Sequence, residues 1–283
     1  MTKLPAILTA IFFLFAGTVP VLAADDNPRS LQIGVVPYLS ARILVKSYEP
    51  MRQYLEHVLG IPVKIYTANG FGQFLQNAQH GDFDLVITPA HFARLLQQDN
   101  KFNPLVRYAK GGRGLVMVAR NGEISTLEDL KGKTVAVPFR LSLAAIICVT
   151  ALQEHGLNDG SNISISEYPS FESALLAVKS GEAAAAVSAP GALQQVSPEL
   201  RDSVTPVLDT GDYVNLIFMA HPRLHGKMMA VMHNALLKFG KSEEGEKFFT
   251  STGFGEFLPV TVKDMSGLDK YVPITRHLLA EGK

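Results

Sequence analysis

Cysteine is nearly missing: Cys148 is the single one in 283 residues. One thiol excludes an intramolecular disulfide and any paired-cysteine metal motif. Its apolar neighbours offer no base to activate it, so a small buried hydrophobe is its expected role. An excess of either charge is missing too, since 26 Lys and Arg stand against 26 Asp and Glu. That balance leaves no electrostatic footprint for nucleic acid. The chain carries no nucleophile elbow and no phosphate-binding loop. His221 and His225 are four apart, but Pro222 spoils a shared helical face. These absences point away from catalysis, a metal site or a cofactor. No repeat, charge block or low-complexity segment appears, and beyond the N-terminus no apolar run is long enough to span a membrane.

What is present begins with a leader. Lys3 supplies a positive start, Ile7 to Val21 is mostly apolar, and Val21-Leu22-Ala23 fits a small-residue cleavage site before Asp25, Asp26 and Asn27. The apolar run is short for a membrane span and lacks a second charged flank. No cysteine stands at the cleavage site to take a lipid. Residues 1–23 therefore read as a signal peptide, and the protein as exported and soluble, mature from about Ala24.

With 47% hydrophobic and 18% charged residues, the chain can bury a substantial core, and its length has room for two domains or one large one. Leu31 to Val36 reads as a strand. A helical face of Leu44, Tyr48, Met51, Leu55, Val58 and Leu59 follows, stopped by Gly60 and Pro62. Val63 to Thr67 and Phe83 to Ile87 are further strands, with a short amphipathic helix around Phe71 to Ala78 between them and another helix from about Phe92 to Gln98. Strand–helix alternation is the signature of a parallel sheet with helices on its faces. The rhythm changes at Leu105. Two strands, Leu105 to Tyr108 and Leu115 to Ala119, flank the glycine-rich Lys110 to Gly114. A second α/β unit opens at Ser125, where Ser125 or Thr126 can cap a short helix. It continues through strands Ile163 to Tyr168 and Ala183 to Val187, with the helix Phe171 to Ser180 between them. Val204 to Leu208 then leads through Asp209 to Tyr213 into the apolar strand Val214 to Ala220. Helices near Gly226 to Phe239 and Glu243 to Thr250 close the reading.

Within the second unit, Thr134 to Val137 is a short β-branched strand bounded by Gly132 and Pro138, and Leu141 to Gln153 is apolar almost all round, as suits a helix buried in a core. The turn between them carries Phe139, Arg140 and Ser142. Such a turn aims free backbone N–H groups and the positive end of a helix dipole at whatever lies above the strand end. Ala145 stands where a Glu or Gln would close a capping box. Two readings stay open: an anion cup, or an ordinary turn in which Ser142 caps its own helix and Arg140 faces solvent.

Ile33-Gly-Val-Val-Pro-Tyr-Leu-Ser40, with Tyr48-Glu-Pro and Tyr54-Leu-Glu-His-Val-Leu-Gly60, resembles the opening of the phosphate/phosphite/phosphonate-type periplasmic solute-binding proteins. Gly81-Asp-Phe-Asp-Leu-Val86 followed by Thr88-Pro-Ala-His-Phe92 is similar to their next landmark. Leu127-Glu-Asp-Leu-Lys-Gly-Lys-Thr-Val-Ala136 resembles a phrase shared by type II binding proteins at large. The resemblance covers nearly all of the mature chain. It implies an α/β, two-lobed type II periplasmic-binding-protein fold with a ligand cleft between the lobes, closed by a hinge. Lobe one is then 24–108 plus 215–283, and lobe two 109–214. The implied partners are a small anionic ligand and an inner-membrane ABC permease, and a monomer is expected. Family members carry a Ser/Thr-rich turn at the lobe-two helix. Here only Ser142 of that pattern survives, with Phe139-Arg-Leu in place of small hydroxylated residues.

Candidate ligand-binding residues follow from strand ends and crossings. Tyr38 and Ser40 follow the first strand, where Ser40 can also cap a helix. Thr88 and His91 stand at the end of the third, and Phe139, Arg140 and Ser142 form the lobe-two turn. Asp209 and Tyr213 lie near the second crossing, where a carboxylate could accept a hydrogen bond from a protonated oxyanion. Arg113 and Asp212 read as solvated turn residues and Ser170 as a helix cap. A sensory module that presents its closed cleft to a receptor is the alternative from another class, and a non-phosphorus small anion such as a carboxylate or sulfonate is the alternative ligand. The leader yields the first testable expectation: N-terminal sequencing of protein from the periplasmic fraction should begin near Ala24, and an intact Met1 on membrane-bound protein would refute it.

Overall fold

Runs of branched and aliphatic residues punctuated by Gly and Pro fold as the alternation suggests, in a computed structural model that describes residues 30–282. The expected leader lies outside the described residues. The first α/β run is β1 (Leu31–Val35), α1 (Ala41–Leu59), β2 (Val63–Tyr66), α2 (Phe71–His80), β3 (Leu85–Pro89) and α3 (Ala90–Asn100). β1 lies between β2 and β3, parallel to both, with Ile33 opposite Ile65 on one side and Leu85 on the other. After β4 (Asn103–Tyr108) the chain enters a second sheet at β5 (Gly112–Ala119). There it builds β6 (Thr134–Pro138), α4 (Leu143–Glu154), β7 (Ser164–Tyr168), α5 (Phe171–Ser180) and β8 (Ala185–Ser188). The short helices α6 (Pro190–Leu193) and α7 (Pro198–Asp202) lead to the long β9 (Val204–Tyr213). The chain then returns to the first sheet with β10 (Leu216–Ala220), α8 (Gly226–Phe239), α9 (Glu243–Thr252), β11 (Phe257–Pro259), α10 (Val262–Ser266) and α11 (Val272–Ala280).

The sheets run β11-β4-β10-β3-β1-β2 and β7-β6-β8-β5-β9. Each has a parallel heart, as expected, but β10 and β5, which receive the chain from the other sheet, lie antiparallel to it, while β4 and β9, which send the chain across, run with it. Several local expectations shift. β5 starts at Gly112, so Arg113 and Gly114 are strand residues rather than a linker. Asp209 to Tyr213 completes β9, because β5 supplies a ladder partner as far as Gly112 opposite Tyr213. Val58 is 41% exposed at the end of α1, where Leu59 takes the place packed against the core. Ser125 and Thr126 do not accept as caps; the Asp129 carboxylate accepts from both of their backbone N–H groups. The strand β11 and the helices α10 and α11 lie beyond the elements read from the sequence. Ser170 does cap α5, with Ser173 completing a capping box.

α4 explains its own composition. Leu143, Ile146 and Ile147 pack into the core of the first sheet, while Ala145, Cys148 and Leu152 pack into that of the second. A helix with apolar walls on two sides has no polar face to spare. Its seat against β5 depends on Gly114. A Cβ there would stand 2.6 Å from Cys148 Sγ and 3.2 Å from Thr210 Oγ1. Gly114→Ala should therefore lower stability by about 1–3 kcal/mol, the usual cost of overpacking. Adding Cys148→Ala in the same chain should recover part of that loss, because the two sites share one space. Urea unfolding of the single and double variants checks this, and an unshifted Gly114→Ala midpoint would contradict the close packing.

Candidate functional site

Parallel strands need a crossover each, so β1, β2 and β3 all end on one edge of the first sheet, and β6, β7 and β8 on one edge of the second. The turns leaving those ends meet along a seam between the sheets. His91, in the first turn of α3, reaches across it, and its Nε2 lies 3.0 Å from the carbonyl oxygen of Leu141. A carbonyl can only accept, so Nε2 carries the proton and Nδ1 is a bare acceptor. His91 is fully buried, Nδ1 has no partner among the described residues, and the ring lies 4.4 Å from that of Phe92. Burial lowers its pKa to about 3, against a smaller opposing effect of the Leu141 carbonyl, so the ring is neutral.

The turn that His91 touches is strained. Phe139 has φ +48°, a left-handed conformation that costs a side-chain-bearing residue roughly 1–2 kcal/mol. Its ring stacks on Phe71 at 5.9 Å and meets Phe171 edge-on at 6.0 Å. Aromatic pairs of this kind contribute about 0.5–1.5 kcal/mol each beyond area burial, enough to offset the backbone. The Phe139 carbonyl accepts from Ser142 N–H at 2.6 Å. Ser142 Oγ accepts from Ala145 N–H at 3.2 Å, capping α4, which leaves its own hydroxyl proton unspent. The amides of Leu143 and Ala144 have no acceptor among the described residues. Arg140 does not stand free in solvent: its Nη2 donates to Asp159 at a long 3.4 Å.

The remaining candidates sit elsewhere along the seam. Thr88 is fully buried at the end of β3, its hydroxyl without a partner among the described residues. Tyr38 donates to Tyr48 at 3.2 Å, the Tyr48 and Tyr108 hydroxyls are 3.0 Å apart, and burial holds the protons on all three. Ser40 is exposed at the start of α1 and makes no side-chain capping bond there. Asp209 is engaged at the crossing, where Arg113 Nη1 donates to it at 3.1 Å and Nε to Asp212 at 3.0 Å. Tyr213 packs its ring over Gly112, where any Cβ would collide with it, and burial raises its hydroxyl pKa. The structure thus brings His91 together with the Phe139–Ser142 turn, and no hydrogen bond or ring contact joins that turn to Tyr38, Ser40, Asp209 or Tyr213. Three further residues belong to the seam. Phe71 and Phe171 open α2 and α5, and Ser188 ends β8 fully buried with its hydroxyl unpartnered among the described residues. A polar residue closing an apolar strand was the signal for Ser188. Among the described residues, no group of His, Cys, Asp or Glu is arranged to hold a metal ion.

The family model for the phosphonate ABC-transporter periplasmic substrate-binding protein matches residues 33–265. A chloride-bound protein of Xanthomonas citri is 16% identical, covering 89% of this chain and 100% of its own, with a TM-score of 0.77. PhnD1 from Prochlorococcus marinus, in complex with methylphosphonate, is 16% identical over 89% of this chain and 99% of its own, with a TM-score of 0.73. A binding-protein component of an ABC phosphonate transporter from Pseudomonas aeruginosa is 13% identical over 90% of this chain and 99% of its own, with a TM-score of 0.72. The fold is that of the type II periplasmic binding proteins.

His91 gives the seam a pH signature. Between its folded pKa of about 3 and an ordinary value of 6.5, the unfolded chain binds a proton that the folded chain refuses. Stability is therefore unaffected by this group above pH 6.5 and falls as the pH drops toward 3, by at most about 1.4 kcal/mol per pH unit. His91→Gln keeps a donor for Leu141 without a titrating ring. Its urea midpoint should fall less steeply than the parent's between pH 6.5 and 4, and parallel profiles would show that His91 is not held neutral by burial.

Proposed function

The chain belongs to the phosphonate ABC-transporter periplasmic substrate-binding family, and from that premise we propose that it captures a small phosphorus oxyanion, a phosphonate, phosphite or phosphate, at the seam between its lobes. The observation that carries this reading is the start of α4. Two amides and one hydroxyl proton there are unspent, at the positive end of a helix dipole, on the seam that His91 bridges. An oxyanion takes all three donors without leaving a buried acceptor short. Arg140 adds formal charge by turning from its long bond to Asp159, or by offering its other nitrogens.

In this reading lobe one is 24–108 plus 215–283 and lobe two 109–214. The lobes close about the two crossings, with the ligand held between the Phe139–Ser142 turn and the strand ends that carry Tyr38, Ser40, Thr88 and His91. Asp209 and Tyr213 flank the second crossing. The protein acts in the periplasm as a monomer, releases its ligand unchanged and hands it to an inner-membrane permease, so closure is both the binding event and the signal for delivery.

Titration calorimetry against methylphosphonate, phosphite and phosphate tests the ligand class. Losing a hydrogen bond to a charged group costs roughly 1.5–3 kcal/mol, so Arg140→Ala should weaken binding by about tenfold to more than a hundredfold. Small-angle scattering should show a smaller radius of gyration at saturation. Equal affinity in Arg140→Ala would assign that side chain to Asp159 alone. Tight binding of a different anion, with none of the phosphorus compounds held, would keep the α4 donors and discard the ligand class.

A further inference from the structure

Phe71 and Phe139 face each other from opposite lobes. Phe71 opens α2 on the first sheet, and Phe139 follows β6 on the second. Their rings are 30° from parallel with centroids 5.9 Å apart. Phe171 closes one side at 6.0 Å and 67°, and Phe92 stands behind Phe71 at 6.4 Å. Phe71, Phe139 and Phe171 are each half-buried, so the aromatic surface is still open to an entering molecule. Phe139 and the α4 cap are also continuous, since the Phe139 carbonyl accepts from Ser142 N–H. The left-handed backbone at Phe139 is one that glycine adopts freely, and it sets the direction in which the Cα–Cβ bond leaves the turn.

We propose that Phe71 and Phe139 are the two walls of a slot for a flat apolar group, and that the ligand is an aryl-bearing phosphorus oxyanion, its acid group on the α4 amides and its ring between the phenylalanines. This rests on the oxyanion reading of α4. Carbon atoms in contact lie about 3.5–4.0 Å apart, so two rings with a third between them need centroids about 7 Å apart. The present 5.9 Å must widen by about an ångström. Walls on one lobe could not part so easily. Walls on two lobes part as the hinge opens and close on the inserted ring as it shuts, so ring recognition and closure become one motion. A methyl substituent would leave most of this apolar surface uncovered. A phenyl group covers both faces, enough for at least about a tenfold gain in affinity.

Calorimetry on the purified protein with methylphosphonate, phenylphosphonate, 2-aminoethylphosphonate and benzoate tests the slot. Phenylphosphonate should bind at least about tenfold tighter than methylphosphonate. Phe139→Gly removes one wall while keeping the turn, and Phe71→Ala removes the other; both should bring that ratio toward one. The thermal midpoint of Phe139→Gly reports whether the fold survives. Methylphosphonate binding as tightly as phenylphosphonate overturns the slot and leaves the oxyanion reading standing. So does a preference that survives both variants. Tightest binding of 2-aminoethylphosphonate also overturns it, because the rings would then be serving a cation. Benzoate bound without any phosphonate, and weakened by Phe139→Gly, keeps the slot and removes the phosphorus head group. Failure of the whole panel to bind removes both.

Discussion

Two strands that run the same way cannot be joined by a tight turn, and nearly everything about this molecule follows from that. Each parallel connection must climb over the sheet through a helix, so successive strands finish on one edge and successive helices begin there. In the first sheet that edge collects the turns after β1, β2 and β3, and in the second the turns after β6, β7 and β8. The connecting strands do another job: β4 and β9 run with the parallel strands and end on those edges, β5 and β10 start there and run against them, and the two crossings bring the edges face to face. A site made only of strand ends and helix beginnings is rich in backbone donors before any side chain is chosen.

Side chains then decide how dry that site is. α4 sends Leu143, Ile146 and Ile147 into one core and Cys148 into the other, so the helix beginning is walled by hydrocarbon. In that setting a charged imidazole is too costly, and His91 is neutral with its one proton committed to Leu141. Phe139 shows the same trade in covalent form: an unfavourable backbone angle is tolerated because its ring finds Phe71 and Phe171. Both residues tie the second lobe's turn to the first lobe, one by a hydrogen bond and one by ring contact.

Much of this architecture is legible in local sequence, and the parts that are not share a cause. Strand–helix alternation, the stop of α1 at Gly60 and the cap at Ser170 depend on neighbours in sequence, and they read correctly. Arg113, Gly114 and the Asp209 to Tyr213 stretch read as links because their extended conformation depends on each other across a ladder, a partner almost a hundred residues away. α4 reads as a buried helix, but an all-round apolar pattern cannot say that its two sides belong to different cores. Phe71 reads as one more residue on an amphipathic face, since nothing local announces a ring waiting on the other lobe. Ser142 and Arg140 could be read as anion donors or as a cap and a solvent residue, and the structure shows Ser142 capping while its proton is unspent.

Arg113, Asp209 and Asp212 lie where the chain passes between lobes, and their ion pairs are exposed to solvent. Their attraction runs through water and mobile ions rather than through hydrocarbon, so it weakens as dissolved salt shortens the range of the field. The buried contacts at the seam are screened far less. A change in surrounding osmolarity made with electrolyte therefore weakens the ties between β5 and β9 at the crossing, whereas the same change made with a sugar leaves them at full strength.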